Sequence, residues 1–155
     1  MASKPNPVPP GRETAIVYLC CRNTADAIEF YKKAFGATEL YRIPMGGMVG
    51  HAEIQIGRTT IMLSDEFPEM GVVSPQTLNG SPVTIHMYVA DVDAFTKRAL
   101  AAGLTELRSV EDQFYGDRGG KFKDPSGHIW WFASRIEEVS AEEMQKRAAA
   151  AFAQG

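Results

Sequence analysis

His51, Glu53, His86 and His128 are the residues whose types could do metal or proton chemistry. His51 and Glu53 stand two apart in GHAEI, a stretch of strand composition, so their side chains share one face. His86 stands in a second such stretch, VTIHMYV. If His51, Glu53 and His86 converge, two imidazoles and a carboxylate make a three-ligand metal site with positions open to substrate. As a histidine, His86 is also the candidate general base. His128 follows Gly127 in a turn and is expected to bond locally.

Recognition of a flat organic molecule is the other chemistry these residues suggest. In Val83 to Val89, Thr84, His86 and Tyr88 alternate strictly with apolar residues. The apolar set is expected to pack under helices and the polar set to line a cavity. In HIWWFA, Trp130 and Trp131 must face opposite ways, one backing the core and the other joining Ile129 and Ala133 at the cavity. The matching positions of the first strand are Ile16, Tyr18 and Cys20. Phe114, Tyr115 and Arg118 fall on a hairpin expected to turn at Gly119-Gly120, where they would close the rim, with Arg118 available to an anionic group. The expected ligand-binding set is therefore Tyr18, Thr84, His86, Tyr88, Phe114, Tyr115, Arg118 and Trp131. An amphipathic aromatic lining of this kind suits a small aromatic or hydrophobic ligand.

The elements that must position these residues form a repeat. Thr14 to Cys21 reads as a strand, and Asn23 or Thr24 caps a helix to Phe35 that Gly36 stops. Thr38 to Pro44, Val49 to Ile56 and Thr59 to Ser64 are three more strands. After a polar connection the order begins again. Pro82 to Ala90 is a strand, Asp91 caps a helix that Gly103 ends, and three strands follow from Leu104. A shift of 67 places lays Asp26-Ala27 on Asp93-Ala94, Ala34 on Ala101, Gly36 on Gly103 and Thr38-Glu39-Leu40 on Thr105-Glu106-Leu107. Such self-similarity indicates a duplicated structural unit. The fold class is thus α+β, two βαβββ modules whose curved mixed sheets form a cup. The first module covers 13–65, the connection 66–81 and the second module 82–139 of a single domain. A flexible, proline-rich tail (1–12) precedes them, and a helix with a capping box at Ser140 (140–155) ends the chain.

Composition narrows the partners. At 155 residues the chain is one domain. A net charge of −3 argues against nucleic acid, which needs a basic excess on one face. The sequence has no apolar run near 18 residues and no signal-peptide pattern, so a soluble cytoplasmic protein with no membrane partner is expected. Cys20 and Cys21 are adjacent and point apart, which suits packed thiols rather than a disulfide.

The segments AIEFYKKAFGATEL, GHAEI, IMLSDE, VADVDA, DQFYGDR and DPSGHIWW, in this order, resemble the vicinal oxygen chelate superfamily. This superfamily includes glyoxalase I, extradiol dioxygenases and bleomycin-resistance proteins, and the resemblance is nearest to its PhnB-like group. It implies paired βαβββ modules and a divalent metal held by His or Glu from four strands of the cup. Counted along this chain, those positions fall at Ile16, at Ile61 or Met62, at Thr84 and at Trp131, none of them a His or carboxylate. No cofactor is therefore expected, and an enzyme is not favoured. The expected function is metal-independent binding of a small aromatic or hydrophobic molecule by a homodimer, in a resistance or sequestration role. Two alternatives stand beside it: a glyoxalase- or dioxygenase-type enzyme with a divalent metal relocated to His51, Glu53 and His86, and a structural dimer whose cups are filled.

Overall fold

The computed structural model describes residues 4–153 and contains the repeat. The first module comprises β1 (Tyr18–Cys21), α1 (Thr24–Phe35), β2 (Thr38–Met45), β3 (Met48–Ile56) and β4 (Thr59–Asp65). A 3-10 turn at Pro68–Met70 and the single-turn α2 (Pro75–Leu78) lie in the connection. The second module comprises β5 (Thr84–Tyr88), α3 (Val92–Ala101), β6 (Thr105–Asp112), β7 (Asp117–Lys123) and β8 (Ile129–Arg135), and α4 (Ala141–Phe152) follows. Each module makes a four-stranded sheet of the same topology, β1-β4-β3-β2 and β5-β8-β7-β6, with the first pair of each parallel.

Local chemistry sets the helix ends. The Asn23 side chain accepts the backbone N–H of Asp26, and Gly36 at φ 69° ends α1 in a left-handed cap. Asp91 accepts from the Ala94 N–H in the same way at the start of α3. Two strands start later than expected, at Tyr18 rather than Thr14 and at Thr84 rather than Pro82. Proline lacks the N–H a ladder needs, which excludes Pro82.

The expected turn at Gly119-Gly120 is a correction. The β6–β7 hairpin turns at Gln113 to Gly116, where the Gly116 N–H donates to Gln113 O and Gly116 supplies the positive φ of 95°. Gly119 and Gly120 lie inside β7 instead, because neighbours approach too closely for a side chain. A Cβ on Gly119 would stand 2.7 Å from Phe132 O, and one on Gly120 2.8 Å from Arg108 O.

The core lies between the helices and one face of each sheet. Tyr31 and Phe35 of α1 meet Trp130 and Phe132 of β8, and Phe35 stacks on Phe95 of α3. Asp124, buried in the Asp124–Gly127 turn, accepts from Tyr31 Oη, Trp130 Nε1 and the backbone N–H groups of Ser126 and His128. Tyr31 and Asp124 belong to different modules, so this carboxylate ties the halves together. His128 does more than bond locally, because its ring Nε2 lies 2.9 Å from Cys20 O of β1. Cys20 and Cys21 are free thiols, and burial pushes Cys21 up to about 12. Among the described residues no helix is long and apolar enough to cross a membrane.

Candidate functional site

With one face of each sheet packed on helices, the opposite faces are open. On β5 the alternation holds: Ile85 and Met87 pack toward the core, while Thr84, His86 and Tyr88 are exposed. On β8, Trp130 is fully buried and Trp131 is half-buried on the other face. His86 is in register with Trp131, and Tyr88 with Ala133. The His86 and Tyr88 rings lie 4.8 Å apart. Tyr88 donates a 2.6 Å hydrogen bond to the buried Asp117, and that bond raises the phenol pKa. The indole N–H of Trp131 is buried with no partner among the described residues, packed where Gly119 leaves room for it.

Tyr115 joins this face beside Tyr88, Asp117, Arg135 and Met144 around a depression of about 380 Å³. Phe114 lies edge-on to Tyr115 and near Phe152, while its carbonyl accepts from Arg147, so it anchors α4. Arg118 corrects an expectation. Asp117 and Gly119 take the open face, so strand alternation sends Arg118 to the helix side. There it grips both carboxylate oxygens of Asp93 and one of Asp112, and is not available to a ligand anion. A groove of about 440 Å³ runs along β5, bounded by the β3–β4 turn. His86, Tyr88 and Trp130 line it, and Trp131 does not.

The open face of the first module carries a linked set. Tyr18 Oη and His51 Nδ1 are 2.7 Å apart, and His51 Nε2 is 3.5 Å from Glu53 Oε1. Tyr41 donates to the same Glu53 oxygen at 2.9 Å, and Arg12 reaches Oε2 from the proline-rich segment. Sequence reasoning missed Tyr41 and Arg12. Tyr41 was findable, since the β2–β3 hairpin sets it opposite Glu53. No sequence signal pairs Arg12 with a strand residue.

The same registers test the metal positions implied by the family. Residues in register on neighbouring strands are the ones whose side chains stand closest on a face. Trp131 stands beside His86, not Thr84, and Met62 stands beside Tyr18, not Ile16. The implied positions hold no His or carboxylate, and of the register partners Tyr18, Met62, His86 and Trp131 only His86 is a ligand type for a divalent ion, so neither set fits the family's metal. Nor do His51, Glu53 and His86 converge: among the described residues no group of three or more His, Cys, Asp or Glu side chains is arranged to hold a metal.

The sequence pattern of the Glyoxalase/Bleomycin resistance protein/Dioxygenase superfamily matches residues 14–132. An uncharacterised protein of Mycobacterium bovis is 45% identical over 132 residues, covering 83% of this chain and 87% of that protein. An Arabidopsis thaliana protein of known structure is 28% identical with a TM-score of 0.64, over 77% of this chain and 97% of that one. The fosfomycin resistance protein FosX of Listeria monocytogenes, solved with Mn(II) and sulfate, is 19% identical with a TM-score of 0.62. That match covers 87% of this chain and 96% of FosX.

Proposed function

The chain belongs to the glyoxalase/bleomycin resistance protein/dioxygenase superfamily, and from that premise we propose that it binds a small aromatic or hydrophobic molecule without a metal. The observation that carries this reading lies on the open faces of β1 and β4 and of β5 and β8, where the pairs Tyr18–Met62 and His86–Trp131 supply a single imidazole and no carboxylate. Half-exposed aromatic rings beside a few polar groups favour a flat organic ligand. We place the protein in the cytoplasm as a homodimer, in which each open face meets the other module of a second chain and the ligand sits between them. Sequestration of a toxic compound is the role that fits.

Tryptophan emission tests this. Coumarin and a panel of neutral aromatic compounds should change the emission saturably in the native protein. The response should be lost in Trp131→Ala, while circular dichroism reports an intact fold. An unchanged response in Trp131→Ala, or no saturable response across the panel, would remove the proposal.

A further inference from the structure

Glu53 is a buried carboxylate for which its own sheet provides no cation. It is 3% exposed. Its Oε1 is occupied by groups of the sheet, Tyr41 Oη at 2.9 Å and His51 Nε2 at 3.5 Å. Arg42 of β2 turns away to Glu39. Oε2 is met by Arg12, 41 positions earlier in the chain. Burial pushes the Glu53 carboxyl up, but the hydrogen bonds from Arg12, Tyr41 and His51 outweigh it and hold the group below its usual range.

Two tyrosine rings flank His51 on this face. Tyr18 and Tyr41 are about half-exposed, with centroids 5.4 Å and 5.8 Å from that of His51. A buried carboxylate with half-exposed tyrosines on the same face suits a delocalised or alkylated cation. Exposed Ile43, two residues beyond Tyr41 on β2, extends the surface with apolar area. Arg12 fills the place incompletely, since its Nη1 is buried with no acceptor among the described residues.

We propose that the open face of the first module is a cation site, taking a guanidinium, amidinium or ammonium group carried on a small aromatic ligand, and that Arg12 occupies it until such a ligand displaces it. This rests on the reading that the protein binds small organic molecules, and it names a charge for them. Glu53 Oε2 accepts the cation, Tyr18 and Tyr41 flank it, and His51 holds the Tyr18 hydroxyl in place. Because Arg12 competes from within the chain, its removal raises apparent affinity by the reciprocal of the fraction of time the site is free.

Isothermal titration of phenylguanidine and its neutral counterpart phenylurea into the native full chain, Arg12→Ala and Arg12→Ala/Glu53→Gln tests the site. Arg12→Ala should bind phenylguanidine about tenfold tighter than the native chain. Phenylurea should show no such gain, and Glu53→Gln should abolish the gain for phenylguanidine. Equal affinity for phenylguanidine in native and Arg12→Ala proteins, or an equal gain for phenylurea in Arg12→Ala, would overturn the proposal, and the latter comparison stands even if Glu53→Gln fails to fold. Trp131 emission separates the two readings. Coumarin acting on Trp131 while Arg12→Ala gains nothing for phenylguanidine defeats the cation site alone. Phenylguanidine binding with Trp131 silent to the whole neutral panel defeats the neutral aromatic site and leaves this one.

Discussion

Laid side by side, the two modules share a backbone and differ on their open faces. Across β1, β4, β3 and β2 the residues in register are Tyr18, Met62, Glu53 and Tyr41. Across β5, β8, β7 and β6 they are His86, Trp131, Lys121 and Arg108. A carboxylate between a methionine and a tyrosine in one row thus answers a lysine and an arginine beside tryptophan in the other. The helix-facing sides did not diverge in this way, since both remain apolar and feed one core. Duplication kept what the packing requires and left the open faces to take different chemistry.

The comparison is sharpest where one position is core in both modules. Trp130 and Ile61 each precede the open-face residue of the row by one place, and both are buried. Trp130→Ala should cost about 3–5 kcal/mol and Ile61→Ala about 2–4 kcal/mol in chemical denaturation. Trp130 should cost more because its indole N–H also serves Asp124. Trp131→Ala, on the open face, should cost less than half as much as Trp130→Ala while removing the ligand response. Equal losses at Trp130 and Trp131 would mean that the second face is core.

Gly119 and His51 each precede a charged residue of the row by two places, yet one has no side chain. Gly119→Ala should cost about 1–3 kcal/mol, because its Cβ would stand 2.8 Å from Trp131 Nε1 and 2.7 Å from backbone. His51→Ala should cost less and free the Tyr18 hydroxyl. A neutral Gly119→Ala would show that Trp131 can move aside.

The smallest effect concerns the repeated T-E-L. Glu39 is gripped by Arg42 and Lys32, whereas among the described residues the Glu106 carboxylate accepts only from Ser109. The hydrogen bond from Arg42, then that from Lys32, overcome burial and lower Glu39 to about 2 from 4.5. A carboxylate with a lowered folded-state pKa stabilises the fold above its unfolded value and loses that contribution as pH falls. Native protein should therefore be more stable than Glu39→Gln near neutral pH, with the gap closing between pH 4.5 and about 2 in thermal unfolding. Glu106→Gln should change stability at neutral pH by less than about 0.5 kcal/mol. A pH-independent gap for Glu39→Gln would remove the ion pair from the account.

Much of the frame was legible because it is written locally. Asn23, Gly36 and Asp91 mark helix ends through their own side chains or φ, and D-P-S-G forms its turn through Asp124. The alternation in β5 correctly assigned Thr84, His86 and Tyr88 to the open face. The failures came from information the local pattern lacks. Gly119-Gly120 has turn composition, but neighbouring strands are what forbid a side chain there. Arg118 was misplaced by the same error: moving the turn to Gly116 starts β7 at Asp117 and reverses which residues face out. The salt bridge of Arg12 with Glu53 joins residues 41 apart without periodicity between them.

The central claim is that the open-face pairs Tyr18–Met62 and His86–Trp131 serve a ligand rather than an ion. Elemental analysis of the full chain tests it most directly, on protein purified without added metal or chelator and again after incubation with nickel, iron, zinc and manganese. The account predicts no stoichiometric metal in any sample. One metal per chain, lost in His86→Ala, would contradict it and make a metal-dependent enzyme the working description.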